Sequence, residues 1–338
     1  MKRRLLTGLG TLCAVLVSMT GAQLAGQAIT GTGVALTPSK FPRHGAAEVR
    51  AMFEEGRSLG RYAVFIYQWS QDDRLSTARM MMEMSGAAGY TPILALSPTT
   101  LTEMRGKLDM PSAVKSRAGN RPTFSDKNVH IPYIQAALEL ASLKPPYLCL
   151  ATEINLLAFA SIDEYVKFAA VYKRLYQEVK KVSPETKVFV SFQWDFFQLM
   201  ANKEPRRISE HRKLIEIFRP ELDVLAFTSY PSDHYKTPAE VPANYYERIS
   251  EYVKPADEIH FMEIGWPTSG TGTEAEQVAF IERLPSLMAK IKPKVVAWSL
   301  LHDVDTSALG GDLASTGLKH PDGRPKAGLR AFSQLAGK

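Results

Sequence analysis

The chain has 338 residues, of which 41 are basic and 35 acidic, and its net charge is +6. It has no run of lysine and arginine of the kind that binds nucleic acid, so we expect no nucleic-acid partner. The 45% share of hydrophobic residues and the two cysteines are typical of a globular chain and exclude a disulfide-rich scaffold.

The N-terminal segment has the pattern of a secretory signal peptide. The basic stretch Met1–Arg4 precedes the apolar run Leu5–Met19, and small residues suited to cleavage follow as far as Ala28. The apolar run is shorter than the roughly 20 residues that span a bilayer, so we expect no stable membrane insertion after cleavage. The sequence therefore predicts a signal peptide at 1–28, a mature domain at 29–338, and export to the periplasm or the cell exterior.

The mature chain would lack three of the 41 basic residues and none of the 35 acidic ones, so its net charge would fall to about +3. Cys149 would be its only cysteine, which leaves no intrachain disulfide. An exported protein of this kind must rely on a large hydrophobic core, and its length is sufficient to form one.

Eight short runs rich in Val, Ile, Phe and Tyr recur along the mature chain, bounded by Pro, Gly, Ser and Asp. The predicted strands are Gly33–Thr37, Tyr62–Trp69, Pro92–Leu96, Tyr147–Glu153, Lys187–Gln193, Val224–Ser229, Ile259–Glu263 and Val295–Leu300. Amphipathic segments of helical period alternate with them. The predicted helices are Ala46–Leu59, Thr77–Gly86, Val129–Leu143, Ile162–Val182, Glu210–Phe218, Ala243–Val253, Glu274–Ile291 and Lys326–Leu335. Three capping boxes are predicted, at Ser161 with Glu164, Thr237 with Glu240, and Thr273 with Glu276.

Eight strand–helix repeats predict an α/β fold, a (β/α)8 TIM barrel forming a single domain. The alternative, an open doubly wound sheet, would usually have fewer units, and no glycine-rich phosphate loop follows any predicted strand. The longest irregular stretch is Lys107–Lys127, after the third strand, where we expect a functional loop at the C-terminal face of the barrel.

Two glutamates stand at strand ends on this face. Glu153 ends the fourth predicted strand and Glu263 ends the seventh, each directly after an apolar run. A carboxylate in such a place is costly unless it is paired, so a structural ion pair or a helix cap is the alternative explanation for either one. Two glutamates at the same end of the barrel favour a catalytic pair.

Candidate substrate-binding residues surround this pair at the predicted rim. All four tryptophans lie at or near strand ends, where their rings could stack on the apolar faces of a sugar, or could instead pack around the bases of loops. Hydroxyl and amide side chains accompany them. The predicted substrate-binding residues are Trp69, Tyr67, Thr152, Asn155, Gln193, Trp194, Tyr230, Trp266 and Trp298.

The segment Glu263-Ile264-Gly265-Trp266-Pro267-Thr268 is similar to the nucleophile segment of endo-β-1,3-glucanases. Glutamates ending strands four and seven resemble those of clan A glycoside hydrolases, among them the β-1,4-galactanases. The resemblance implies that Glu263 is a nucleophile and that Glu153 is a general acid/base whose pKa is raised by burial and by the charge of Glu263. In such a site Tyr230 would donate a hydrogen bond to Glu263, and Trp298 would form the floor of the sugar subsite.

The sequence departs from the clan at one position. Thr152 stands where clan members usually have an asparagine that binds the sugar 2-hydroxyl, and Asn155 follows two residues after Glu153. A barrel that binds glycan without cutting it therefore remains a second hypothesis, and a transglycosylase would use the same two carboxylates. The histidines and cysteines form no metal-binding pattern, so we expect neither a metal nor a cofactor.

From these residues we predict a retaining glycoside hydrolase, an endo-β-glycanase that cleaves an extracellular or cell-envelope polysaccharide by double displacement.

Overall fold

The computed structural model describes residues 28–337 apart from 102, 204–207, 306–308 and 310. The predicted signal peptide, except for Ala28, lies outside the described residues. Within the described ranges, no helix combines the length and the apolar character needed to cross a membrane.

Parallel strands form one sheet that curls into a nearly closed barrel. The strands found in the described part of the chain are β1 (Thr32–Ala35), β2 (Tyr62–Gln68), β3 (Thr91–Ser97), β4 (Tyr147–Cys149), β5 (Lys187–Phe189), β6 (Ser191–Gln193), β7 (Val224–Ser229), β8 (Glu258–Ile264) and β9 (Val295–Trp298). Their order in the sheet is β5-β4-β3-β2-β1-β9-β8-β7-β6. The predicted TIM barrel is confirmed.

The fifth barrel strand is divided at Val190 into β5 and β6. β5 pairs with β4, whereas β6 pairs with β7, so the two ends of the sheet meet at this residue. Backbone hydrogen bonds continue across the junction, from Ser191 N to the Ala151 carbonyl (2.9 Å) and from Asp223 N to the Val188 carbonyl (3.0 Å). The sheet therefore leaves almost no free edge.

Helices cover the outside of the barrel. They are α1 (Ala46–Glu55), α2 (Arg74–Ala88), α3 (Ser112–Ala118), α4 (Lys127–Ala141), α5 (Asn155–Ala160), α6 (Ile162–Val182), α7 (Trp194–Lys203), α8 (Ile208–Glu216), α9 (Glu274–Met288) and α10 (Ala327–Ala336). The predicted capping boxes of α6 and α9 are confirmed at their first hydrogen bond, because Ser161 and Thr273 accept from the backbone N–H three residues on.

Aromatic rings fill the N-terminal end of the barrel interior. Tyr147 contacts Tyr62 and His260 at ring-centroid distances of 6.3 and 5.0 Å, and Phe189 lies 6.2 Å from His260. Gly33 of β1 makes room for this layer, since a Cβ there would lie 2.2 Å from the Tyr62 carbonyl oxygen. These rings close the barrel interior at its N-terminal end, so a site inside the barrel has to open at the C-terminal end.

One predicted helix is wrong. Residues 243–253 instead form 3₁₀ turns, among them the short helix Glu247–Glu251. Pro242 begins a series of i→i+3 hydrogen bonds in which its carbonyl accepts from Tyr245 N, and Ile249 N donates to Tyr246 in the same manner. Nearby Thr237 makes no side-chain cap, so the capping box predicted there is also wrong.

Two further predictions need correction. The stretch Lys107–Lys127 is not wholly irregular, because α3 lies within it. β4 ends at Cys149 rather than at Glu153, since the chain turns sharply at Glu153, whose φ is 52°.

Candidate active site

Local backbone features bring Glu153 and Glu263 to the C-terminal mouth of the barrel. Glu153 adopts a left-handed backbone conformation and donates its N–H to Ser191 Oγ at 3.1 Å. This conformation costs a non-glycine residue roughly 1–2 kcal/mol and is typical of functional sites. Phe227 of β7 pairs with Phe261 of β8, but Thr228 pairs with Glu263, so the register shifts at Met262. Such a bulge re-aims the side chain that follows it.

Both carboxylate oxygens of Glu153 accept hydrogen bonds. Arg105 Nε donates to Oε2 at 2.5 Å, and Thr228 Oγ1 donates to Oε1 at 2.8 Å. Arg105 is only 6% exposed and also donates from Nη1 to Ser97 Oγ at 3.2 Å. Glu153 is therefore held in orientation, and its negative charge is compensated by a buried guanidinium.

Glu263 has a different environment. Its Oε2 accepts a hydrogen bond from the Tyr230 hydroxyl at 2.7 Å, whereas its Oε1 is buried and accepts none from any described residue. Burial and the charge of Glu153 raise the pKa of Glu263 to about 7, although Tyr230 and Arg105 act in the opposite direction. The two glutamates therefore differ: Glu153 has a cationic partner, whereas Glu263 has a phenol on one oxygen and no donor on the other.

Asp195 fixes the position of Tyr230. This fully buried carboxylate accepts hydrogen bonds from Tyr230 N (2.6 Å), Tyr245 Oη (2.5 Å), Ser229 Oγ (2.9 Å) and Gln193 Nε2 (3.0 Å). Burial raises the pKa of Asp195, and the hydrogen bonds from Tyr245, Tyr230 and Ser229 oppose that rise. Asp195 thus holds the backbone from which the Tyr230 hydroxyl reaches Glu263.

A cleft of about 320 Å³ opens beside Glu153 and Tyr230. Glu263 is not one of its lining residues and is joined to it through the hydrogen bond from Tyr230. Its walls differ in character. α5 and α7 contribute the apolar side chains of Leu156, Phe196 and Leu199. Loops contribute polar and charged ones. The remaining lining residues are Met104, Glu153, Gln193, Tyr230, Ser232, Asp233, His234, Pro267, Asp312, Leu313 and Thr316. An apolar wall facing polar groups is the usual character of a pocket for a small organic ligand.

Two of the predicted substrate-binding residues line this cleft, Gln193 and Tyr230. The amide of Gln193 is already bonded within the protein. Its Oε1 accepts from Phe196 N at 2.5 Å, and its Nε2 donates to Asp195. Gln193 thus shapes the start of α7, while the Tyr230 hydroxyl is directed at Glu263.

The four tryptophans lie elsewhere. Each is at most 1% exposed and none lines the cleft. Trp298 packs on Phe280 of α9 and Phe332 of α10, and Trp69 packs on Tyr133 of α4. Their rings lie between the sheet and the helices, and this differs both from the predicted sugar platforms and from the alternative of packing around the bases of loops.

Trp194 and Trp266 belong to the same layer. Trp194 Nε1 donates to the Tyr245 carbonyl at 3.2 Å, and Trp266 lies 5.2 Å from Phe280. Tyr67 is also buried and makes no contact with the cleft, because it lies on the helix-facing side of β2.

Thr152 and Asn155 are fully buried and hold the backbone around Glu153. Thr152 Oγ1 donates to Ser97 Oγ at 3.1 Å. The Asn155 amide bonds both backbone groups of Gln193, accepting from N at 2.8 Å and donating to O at 3.0 Å. Neither side chain faces the cleft, so both position the end of β4 relative to its neighbours.

Sequence reasoning did not single out Arg105, Thr228 or Ser191, which bind Glu153 directly. Arg105 resembles the chain's other arginines in sequence, and Thr228 and Ser191 are ordinary hydroxyl residues of inner strands. Across 28–337, the undescribed positions aside, no three His, Cys, Asp or Glu side chains are grouped so that they could hold a metal ion.

No family model and no curated protein matches the sequence. Solved structures match nonetheless. An exo-β-1,4-mannosidase from Opitutaceae bacterium strain TAV5 is 17% identical with a TM-score of 0.67, and the match covers 91% of this chain and 59% of that one. GH5_18 from Streptomyces cattleya, solved with GlcNAc, is 16% identical with a TM-score of 0.69, covering 91% and 79% of the two chains.

A third match is to fungal β-1,4-galactanases, at 14% identity and a TM-score of 0.61, covering 90% of this chain and 99% of the other. The chain thus spans less than two thirds of the mannosidase but nearly all of the galactanase. At identities of this size the likeness is one of fold, and this protein shares its TIM-barrel fold with these solved structures.

Proposed function

We propose that the protein is a retaining glycoside hydrolase with Glu263 as nucleophile and Glu153 as general acid/base. The observation that carries this proposal is the state of Glu263. One of its oxygens is held by Tyr230, and the other, Oε1, is buried without a hydrogen-bond donor. A buried acceptor without a partner is costly for stability, and a nucleophile needs such an oxygen free for attack.

The reaction takes two steps. Glu263 Oε1 forms a bond to the anomeric carbon while the glycosidic bond breaks and Glu153 gives its proton to the departing oxygen. The resulting glycosyl ester is then attacked by water, whose proton passes to Glu153 as the ester bond breaks. Two inversions at the same carbon retain its configuration, and both glutamates return to their starting states.

For the substrate we propose a β-linked polysaccharide of the cell envelope or the exterior, cut internally. The basic and apolar N-terminal pattern supports export. The cleft also suits a carbohydrate. Its apolar wall of Leu156, Phe196 and Leu199 can contact the C–H faces of a sugar, and Asp233, His234 and Asp312 can bind hydroxyl groups.

A second candidate is a glycan-binding barrel without turnover. The ion pair between Arg105 and Glu153 favours it, because Arg105 Nε, at 2.5 Å, occupies one carboxylate oxygen of the residue that must donate a proton. The buried, unpaired oxygen of Glu263 argues against it, since binding alone has no use for that arrangement.

The test is hydrolysis of a panel of β-linked polysaccharides and aryl glycosides by the wild-type protein and by Glu153→Gln and Glu263→Gln. We expect wild-type activity with retained anomeric configuration by NMR, and a loss of at least 10³-fold in either variant. Azide should partly restore a Glu153→Ala variant by forming a β-glycosyl azide. Binding to a glycan without any turnover would assign the protein to the second class, and activity that survives Glu263→Gln would refute the assigned nucleophile.

A further inference from the structure

Arg105 is built into the site more firmly than a surface arginine would be. It is 6% exposed, and its ion pair with Glu153 is joined by the hydrogen bond from Nη1 to Ser97 Oγ. Its backbone and that of Met104 are both left-handed, with φ values of 54° and 48°. Two successive non-glycine residues in this region are unfavourable, so the surrounding structure holds the guanidinium in place against a conformational cost.

The proposed reaction requires Arg105 to have a negatively charged neighbour at every stage. In the free protein the negative charge beside Arg105 is that of Glu153, to which it is bonded. In the reacting complex Glu153 must carry the proton and Glu263 must be ionised. A buried guanidinium left without a negative partner at that stage would be strongly unfavourable. The charge of Glu263 also acts on Arg105, so Glu263 can become the compensating anion.

We infer that Arg105 is a positioning residue that fixes the proton count of the two glutamates, so that they share one proton which can pass from Glu263 to Glu153. The inference rests on the proposed function, because only a glycoside hydrolase needs the proton to be on Glu153 when it reacts. Arg105 then carries one positive charge and the two glutamates together carry one negative charge, in both the resting and the reacting arrangement. The proton changes place, and the total charge of the buried cluster stays constant.

The other ionisable groups near Glu153 and Glu263 do not supply the positive charge that Arg105 supplies. Tyr230 donates to Glu263 as a neutral phenol, and burial raises its pKa far above the ordinary value. Burial raises the pKa of the Cys149 thiol, which interacts with Glu263, to about 12. Asp233 lines the cleft, and burial together with the charges of Asp195 and Glu153 raises its pKa to about 7, so it is no fixed anion for Arg105. His234, on the same cleft wall, makes no hydrogen bond or ion pair with either glutamate among the described contacts.

The first test follows carboxyl titration directly and needs no turnover. The full chain is labelled with ¹³C at the glutamate side-chain carboxyls, and their chemical shifts are followed by NMR between pH 4 and 9. In the wild-type protein one carboxyl should titrate near neutral pH, and its signal should be absent in Glu263→Gln. In Arg105→Gln that titration should move up by about one pH unit or more, whereas Arg105→Lys should leave it nearly in place.

A second pair of variants guards against a misfolded Arg105→Gln. Glu153→Gln leaves Arg105 facing Glu263 alone, and Glu153→Gln/Arg105→Gln removes both charges at once. The Glu263 carboxyl should titrate at least one pH unit higher in the double variant than in the single one. Arg219→Gln is the matched control, since the Arg219–Asp257 ion pair is equally buried at 2.6 Å but lies away from the cleft.

The inference is overturned if no glutamate titrates near neutral pH, or if removal of Arg105 moves Glu263 no further than removal of Arg219 does. Failure of this inference can be distinguished from failure of the proposed function. If the expected titrations appear in a protein that cleaves no glycan, the charge balance stands and the enzymatic proposal fails. If the protein is active, the pH–activity profile of Arg105→Gln should move to higher pH and that of Arg105→Lys should not.

Discussion

The Thr228 hydroxyl donates a 2.8 Å hydrogen bond to Oε1 of Glu153. Thr228 belongs to β7, and in the register of the sheet it is the direct neighbour of Glu263 on β8. It therefore stands between the two carboxylates and, together with Arg105 on the other oxygen, sets the plane of the Glu153 carboxylate.

Thr228→Val should lower kcat by about 10- to 100-fold. The substitution keeps the shape of the side chain and removes a hydrogen bond to a charged group, which contributes about 1.5–3 kcal/mol. Steady-state kinetics on the best substrate of the panel would measure the loss, and Thr228→Ser should retain most of the activity. Equal losses in both variants would show that packing rather than the hydroxyl matters.

Tyr230→Phe should displace the acidic limb of the pH–activity profile to higher pH. The hydrogen bond from Tyr230 lowers the pKa of Glu263, which burial and Glu153 have raised to about 7. Without that bond the pKa rises further, so less of the nucleophile is ionised below neutral pH, and activity should fall more at pH 6 than at pH 8. Tyr246→Phe is the control, because its hydroxyl lies 2.9 Å from Ser229 and makes no contact with Glu263. An identical profile in both variants would contradict the role of Tyr230.

The sequence was sufficient to predict the barrel because strands and helices alternate clearly. It predicted both glutamates at strand ends, and Glu263 does lie near the end of β8, whereas Glu153 lies beyond the end of β4 at Cys149. It could not show which way a side chain faces there. A shift of one position along a strand moves a side chain from the barrel interior to the helix layer. Trp298 lies on the helix side, against Phe280 and Phe332.

For Glu263, the regular alternation of a strand would predict the wrong side of the sheet. His260 faces the barrel interior, so strict alternation would direct Met262 inward and Glu263 outward. The register shift between Phe227 and Thr228 reverses this and turns Glu263 into the mouth. Neither a bulge nor the contact of Arg105 with Glu153, 48 residues away in the chain, leaves a local pattern in the sequence.

Substitutions at an aromatic residue of the core and at one of the cleft should separate stability from substrate binding. Trp298→Phe leaves a void between α9 and α10 and should lower the free energy of unfolding by about 1–3 kcal/mol with little change in KM. Phe196→Ala removes a lining residue that also contacts Phe159 at a ring-centroid distance of 3.8 Å, and it should raise KM several-fold. Urea unfolding and steady-state kinetics on both variants would decide this. If KM rose for Trp298→Phe and not for Phe196→Ala, the result would support the role of Trp298 as a sugar platform that was predicted from the sequence.

Glu153→Gln and Glu263→Gln should change stability in opposite directions at pH 8. The folded pKa of Glu263, about 7, lies above its ordinary value of 4.5, so the folded state binds the proton more tightly than the unfolded state does. The wild-type protein therefore loses stability as pH rises from about 4.5 to 7, by about 3 kcal/mol at most. Glutamine resembles the protonated carboxyl and does not titrate, so Glu263→Gln should be more stable than wild type at pH 8, with a smaller difference at pH 5.

Glu153→Gln removes the carboxylate that is hydrogen-bonded to the buried Arg105, and Glu263 acts on that cation only through its charge, so the variant should be less stable than wild type by about 3 kcal/mol. Urea unfolding of all three proteins at pH 5 and pH 8 would measure both effects. Because the two glutamates share one mouth, general damage to the cleft would destabilise both variants alike. Opposite signs at pH 8 therefore require the asymmetry seen in the structure, in which Glu153 has a cationic partner and Glu263 has an oxygen without a donor.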